Sequence, residues 1–243
     1  MNKNVSIAIT AALVMNGGIV NAQEATNIGK HNITLSKDVM TPETLWAMGR
    51  IGSAQASPDG NKIVYQVGYY SVKENRGHQV IYVMDSDGQN VRQLTTSAKS
   101  EGSPVWLDNH TIAFLLDGQI WSMNSDGTNR KKLSSSDIEI EGFRFSPDGK
   151  KVLLIKSIPY YGTIKKNPSD LPKASGRLIT DMNYRHWDHY VETIAHPFVA
   201  EVTANGISKN DVDIIEGEPY ESPLAPFGGI EQFDWSKDSK QIA

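Results

Sequence analysis

Tyr82-Val-Met-Asp-Ser-Asp-Gly-Gln-Asn-Val-Arg-Gln-Leu-Thr95 and Trp121-Ser-Met-Asn-Ser-Asp-Gly-Thr-Asn-Arg-Lys-Lys-Leu-Ser134 align without a gap, each position of the second lying 39 residues after its counterpart. A second unit recurs as Ala56-Ser-Pro-Asp-Gly-Asn-Lys-Ile63-Val-Tyr and Phe145-Ser-Pro-Asp-Gly-Lys-Lys-Val152-Leu-Leu, with weaker copies at Trp106–Phe114 and Trp235–Ala243. Pro58 presets φ for a turn, and Asp59-Gly60 supplies residues that tolerate positive φ. The β-branched and aromatic run after each turn reads as a buried strand. Ser86-Asp87-Gly88 reads as a hairpin turn between outer strands. Repeats of about 40–50 residues, each with several short strands, are the signature of β-propeller blades. A β-sandwich would not return the same turn at fixed spacing.

Working outward, blade one is expected over about 51–100 and blade two over about 101–136. Blade three starts near Ile140, carries an insertion over about 157–195, and resumes its outer hairpin at His196–Gly206. Ile230-Glu-Gln-Phe-Asp-Trp235 is expected to open a fourth blade. Propellers close with about four to eight blades, so 51–243 reads as an incomplete β-propeller in an all-β fold, with a partly helical insertion. Upstream, residues 23–50 form a separate segment. In it Thr41-Pro42-Glu43-Thr44 followed by Leu45-Trp46-Ala47-Met48 predicts a short helix with Thr41 as N-cap and Pro42 in its first turn.

Residues 1–22 read as a cleavable signal peptide. Lys3 precedes the apolar Val5–Met15 run, and Val20-Asn21-Ala22 places small residues for cleavage after Ala22. The apolar run is too short to span a bilayer, which takes about 20 residues, so a periplasmic or secreted protein without a membrane span is expected.

The 243 residues carry 24 Lys+Arg against 28 Asp+Glu, a net charge of −4. That balance argues against a general nucleic-acid binder, which needs cations for phosphates. The absence of Cys from the sequence excludes a disulfide scaffold, a zinc finger and a cysteine nucleophile. The sequence contains neither Gly-x-Ser-x-Gly nor His-Glu-x-x-His, so it offers no nucleophile elbow, and no catalytic residue, metal or cofactor is assigned. Asp85-x-Asp87-Gly88-x-Asn90 mimics the start of a calcium loop, but its twelfth position is Thr96 rather than Glu, and a hairpin turn explains it better. Glu139 and Glu141, at alternate strand positions, read as a solvated face. Asn32-Ile-Thr and Asn109-His-Thr match short glycosylation acceptors that arise easily by chance.

The insertion is more distinctive. Leu178-Ile-Thr-Asp-Met-Asn-Tyr-Arg-His-Trp-Asp-His-Tyr-Val191 packs two His, two Tyr, a Trp and an Arg together. Long loops on a rigid scaffold often carry function. Tyr184, Arg185, His186, Trp187 and Asp188 are therefore the candidate substrate-binding residues. The alternative is that the aromatics pack on blade three, with Arg185 stacked on Trp187 or paired to Asp188.

The Ser57-Pro-Asp-Gly60 and Ser146-Pro-Asp-Gly149 turns resemble those of propellers shared by TolB-like proteins and the prolyl oligopeptidase (S9) family of serine peptidases. The insertion from Ala174 to Phe198, Ile215-Glu-Gly-Glu-Pro-Tyr-Glu-Ser-Pro223 and the opening Thr41-Pro-Glu43 narrow the resemblance to bacterial dipeptidyl peptidases of that family, over about Thr41 to Ala243. The resemblance implies a parent enzyme that removes dipeptides from peptide N-termini. In it the propeller caps and gates a downstream α/β-hydrolase domain holding Ser, His and Asp, and the chain alone is expected to be inactive. Peptides and that C-terminal domain are the implied partners, and the resemblance leaves room for a homodimer when full length. Relatives that grip the substrate amine use adjacent glutamates; this sequence has no Glu-Glu dipeptide. The competing reading is a non-catalytic TolB-like interaction propeller.

Overall fold

The computed structural model describes residues 28–34, 39–160, 164–165, 173, 178–179, 191–224 and 226–243. The signal-peptide reading of 1–22 and the candidate residues Tyr184, Arg185, His186, Trp187 and Asp188 lie outside them. The short helix α1 spans Pro42–Ala47. The Thr41 hydroxyl accepts the Thr44 N–H at 3.2 Å, and Pro42 opens the first turn, where a missing N–H costs nothing.

Three antiparallel sheets with the same wiring follow. The first runs in the order β1 (Arg50–Ala56), β2 (Lys62–Ser71), β3 (Arg76–Asp85), β4 (Arg92–Gln93). The second repeats it as β5 (Glu101–Trp106), β6 (Thr111–Leu116), β7 (Gln119–Asn124), β8 (Lys131–Lys132). The third has β9 (Ile140–Phe145) beside β10 (Lys151–Pro159). After the short pair β11 (Ile164–Lys165) and β12 (Leu178–Ile179) comes β13 (Thr193–Thr203), with β14 (Gly206–Ile207) and β15 (Val212–Asp213) sharing its outer edge. These sheets are propeller blades. The innermost strand of each pairs through an irregular register, between Ile51 and Ala54, between Gly102 and Val105, and opposite Ile155/Lys156. Such bulges increase local twist.

Alternation along the middle strands supplies both faces of each blade with apolar side chains. Val64, Ile81 and Val83 of the first blade meet Trp106, Ile112, Phe114 and Met123 of the second. The second meets the third through Ala113 and Ile120 against Ile140, Phe143, Val152, Leu154 and Phe198. One buried ion pair belongs to the second blade. Glu101, 1% exposed, accepts from Arg130 Nη2 at 2.6 Å and from the Ser97 hydroxyl at 3.0 Å. The Arg130 guanidinium also lies over the Phe114 ring.

The repeated turns explain why the blades share a shape. In the first copy the Ser57 hydroxyl donates to Asp59 Oδ1 at 2.6 Å and accepts the Lys62 N–H at 2.9 Å, and Asp59 Oδ1 accepts the Asn61 N–H. Ser146 and Asp148 reproduce this at 2.7, 3.0 and 3.1 Å, and Ser236 and Asp238 again at 2.7, 2.9 and 3.3 Å. Gly60 and Gly149 take φ of 72° and 69° at the fourth turn position, and Ser239 takes 60° in the weaker copy. The copies beginning at Tyr82 and Trp121 are matched outside their turns as well. Thr95 Oγ1 accepts the Ile81 N–H and Ser134 Oγ accepts the Ile120 N–H, both at 2.9 Å.

The Ser57 and Ser146 turns are also tied to the repeat that follows each. The Trp106 indole N–H donates to the Gln55 carbonyl at 3.1 Å, and the Trp235 indole N–H donates to the Arg144 carbonyl at 3.0 Å. Gln55 and Arg144 both stand two residues before the turn serine. The Asp59 N–H donates to Asn109 Oδ1, and the Asp148 N–H to Ser239 Oγ. The second join has an ion pair besides, Arg144 to Asp234 at 2.9 Å. Asn109, matched above to a glycosylation pattern, is thus a blade-joining side chain.

One expectation needs correction. The expected opening strand over 230–235 is instead a 3-10 turn at Ile230–Gln232 followed by a single bridge, Trp235 to Ile242. The turn lets Ile230 pack on Gly142, where an added Cβ would come within 3.1 Å of it. The helical part expected of the insertion over about 157–195 lies outside the described residues; of those described there, Ile164 and Lys165 pair with Ile179 and Leu178.

Trp106→Phe keeps an aromatic ring but removes the indole donor. It should lower unfolding free energy by about 1–3 kcal/mol, seen as a lower urea midpoint at unchanged slope. The serine hydroxyls, followed by backbone N–H groups, hold Asp59, Asp148 and Asp238 below the usual carboxylate range. Their contribution to stability is therefore full above the pKa of an unfolded Asp and is lost as pH falls through the depressed folded values. Asp148→Asn should flatten the acid side of the stability-against-pH curve, and an unchanged acid limb would contradict this.

Candidate functional site

Strand direction assigns every loop to one of two ends. The Ser57, Ser146 and Ser236 turns and the Ser86-Asp87-Gly88 hairpin lie at one end. At the other lie the turn between β2 and β3, Asp117-Gly118 between β6 and β7, and the root of the insertion, which leaves β10 after Pro159 and rejoins β13 at Thr193. The first end is committed to holding blades together. The second carries the long, variable connections and is the candidate functional face.

Directly below the insertion root sits a buried polar group. Lys156 and His196 are cross-strand partners on β10 and β13, each three residues from its strand's insertion end. Lys156 is 4% exposed and His196 fully buried. The Lys156 ammonium donates to Asp211 Oδ2 at 2.7 Å and lies 3.8 Å from the centre of the Phe198 ring. The His196 Nδ1–H donates to Asp213 Oδ2 at 2.8 Å, while Asp213 Oδ1 accepts the Ile215 N–H. Among the described residues, His196 Nε2 has no hydrogen-bond partner.

The local sequence explains the placement. Asp211 and Asp213 alternate on β15 and its lead-in, so both face the side of β13 that bears His196 and Phe198. The ribbon Asp211–Asp213 is thereby clamped to the sheet by charge as well as by strand pairing. A carboxylate lost from such a pair leaves a buried ammonium without a counter-charge. The quartet can orient what leaves the sheet above it, namely the insertion and the 214–224 segment. The latter is tied back by the Ile214 N–H to the Pro197 carbonyl and the Ser222 N–H to the Ala195 carbonyl.

Of the side chains weighed on sequence, Asp59 and Asp148 are turn residues, Asp85 accepts from Asn90 and Lys62 across its hairpin, and Glu139 and Glu141 are exposed. Among the described residues no group of three or more His, Asp or Glu side chains is arranged to hold a metal. No described helix is long and apolar enough to cross a membrane. Sequence reasoning missed Lys156, His196, Asp211 and Asp213. A signal existed: Lys156 interrupts the apolar run Val152–Ile158, and His196 interrupts Ile194–Val202. A charge amid buried strand positions demands a partner.

Asp211→Ala should destabilise the protein by about 3–5 kcal/mol by stranding Lys156, whereas Lys156→Met combined with Asp211→Leu should recover most of that loss. Chemical denaturation of the two variants checks the order.

No protein-family model matches the chain. It is 40% identical to dipeptidyl-peptidase 5 of Porphyromonas gingivalis over 248 aligned positions, covering 100% of this chain and 35% of that protein. It is 35% identical to dipeptidyl-peptidase 5 of Porphyromonas endodontalis, covering 86% of this chain and 31% of the relative. Among solved structures, the acylaminoacyl peptidase of Pyrococcus horikoshii superposes with a TM-score of 0.50 at 11% identity, over 71% of this chain and 26% of that one, which bears on the fold alone. The chain spans about a third of the length of the curated relatives it matches. By sequence it is similar along its whole length to dipeptidyl-peptidase 5 of Porphyromonas gingivalis, and its three described sheets have a propeller fold.

Proposed function

We propose that this chain is the N-terminal propeller part of a periplasmic or secreted serine dipeptidyl peptidase that releases dipeptides from the N-termini of peptides. The observation that carries this reading is the 40% identity to a dipeptidyl-peptidase 5 along the entire chain, confined to about a third of that relative. In this reading the chemistry resides in an α/β-hydrolase domain beyond the propeller. There a serine attacks the scissile carbonyl, a histidine takes its proton, and backbone N–H groups hold the oxyanion. The propeller's part is to cap that site and restrict entry to short, unfolded peptides. The insertion, with Tyr184, Arg185, His186, Trp187 and Asp188, is the proposed substrate-facing lobe. The buried Lys156–Asp211 and His196–Asp213 pairs at its root support this by giving the lobe a rigid base.

The test is hydrolysis of dipeptidyl chromogenic substrates by the 243-residue chain and by the longer protein that contains it. The longer protein should release dipeptides and lose activity with a serine-directed phosphonate, and the chain alone should release none. Turnover by the chain alone, or none by the longer protein, would contradict the reading.

A further inference from the structure

Arg50 opens β1 at the insertion end of the first blade, the strand end opposite the Ser57 turn. Its guanidinium carbon lies 4.3 Å from the centre of the Tyr70 ring and 5.0 Å from that of Trp46. The two rings meet edge to face at 5.6 Å, so they form a corner with the cation in it. Among the described residues Arg50 forms no hydrogen bond or ion pair beyond these ring contacts.

The corner is built rather than incidental. Gly68 is the cross-strand partner of Arg50, and Gly77 that of Tyr70. The Tyr70 ring lies over both glycines. An added Cβ would come within 3.3 Å of its hydroxyl at Gly68 and within 3.2 Å of its ring at Gly77. Gly49 lets the chain entering β1 press on Tyr69, where a Cβ would lie 2.8 Å from the ring. His31 Nε2 meets the Tyr70 carbonyl at 2.9 Å. Trp46 arrives on α1, whose Thr41 cap sets its direction. The same two rings, with Ser71, Val72, Asn75, Arg76 and Gly77, line a cavity of about 320 Å³ beside the corner.

A guanidinium stacked on aromatic faces has its planar set of N–H donors left over, and that fork matches a carboxylate in bidentate geometry. The rings desolvate one side of the cation and restrict its rotamers, so less freedom remains to be lost on binding. We infer that Arg50, Trp46 and Tyr70 form a carboxylate-binding site that takes a peptide carboxylate, with the neighbouring cavity receiving the apolar side chain next to it. The inference draws on the peptidase reading only in choosing a peptide as carrier. The site is non-covalent and independent of any catalytic step.

The experiment is calorimetric titration of the full chain with three N-acetylated peptides. These are acetyl-Leu-Leu with a free C-terminus, acetyl-Leu-Leu-amide, and acetyl-Leu-Asp-amide, so that a C-terminal and a side-chain carboxylate are separated. At least one acid should bind ten-fold or more tighter than the neutral amide. Whichever acid binds identifies the source of the carboxylate. Arg50→Gln should abolish the preference, Arg50→Lys should weaken it because an ammonium lacks the fork, and Tyr70→Phe should retain it. Nuclear magnetic resonance of the Arg50 Nε–H, expected to shift with the acid and not the amide, keeps the test open should Arg50→Gln fail to fold. Equal binding of all three peptides, or no shift of that resonance, overturns the inference. Either result leaves the dipeptide-release assay untouched, so the two readings fail separately.

Discussion

The fold depends on a join made twice, from the first blade to the second and from the third blade to the segment after it. An indole N–H from one blade reaches the backbone carbonyl two residues ahead of the preceding blade's turn serine. Beside it, the turn aspartate's own N–H is taken by a side chain of the following blade. A sheet with apolar residues on both faces cannot stay soluble by itself, and stacking against neighbours is what buries it. Apolar contact alone would tolerate sliding of one blade over another. The directional bonds at the turn end set the relative height of the blades, and the cores between them fill accordingly. The join between the second and third blades lacks an indole donor at that position, because Phe145 follows Arg144 where a tryptophan stands in the weaker copies. A cavity of about 470 Å³ lies there, lined by Trp106, Phe145, Pro147 and Ile207.

Fixing one end frees the other. The turn end is occupied by hydroxyls and carboxylates that bond to their own backbone and to the next blade. The opposite end carries the insertion, the short hairpins and helix α1, and there the chain places side chains with unspent capacity. The Lys156–Asp211 and His196–Asp213 pairs belong to the rigid layer under the insertion. Their value lies less in net stability, since buried ion pairs often only break even, than in allowing few alternative registers of β15 on β13. Arg50 is the contrasting case, a cation that among the described residues is held by rings rather than by a counter-charge.

Much of the fold was legible because repeats amplify weak signals. One Ser-Pro-Asp-Gly is an ordinary turn; two, with weaker copies and a second unit returning at 39 residues, fix strand, turn and blade together. The capped helix was legible for the same local reason, a threonine followed by proline. Pairing across long distances was not. Nothing near Lys156 in sequence announces Asp211, and nothing near Arg50 announces Tyr70, since both pairings are set by how strands fold back on one another. The strand expected at 230–235 failed because a 3-10 turn there better seats Ile230 against Gly142. The aromatic cluster of the insertion was conspicuous in composition, whereas the groups that brace its root were marked only by single polar positions, Lys156 and His196, within otherwise apolar strands.

The claim that the first blade is joined to the second, and the third to the segment after it, through indole-to-carbonyl bonds is tested most directly by hydrogen exchange of the tryptophan indoles in nitrogen-15-labelled protein. The Trp106 and Trp235 indole protons should exchange slowly, at the rate of the core amides of β6 and β10, while that of the half-exposed Trp46 exchanges quickly. Exchange of Trp106 and Trp235 as fast as that of Trp46 would show that the joins are not made, and would contradict the account.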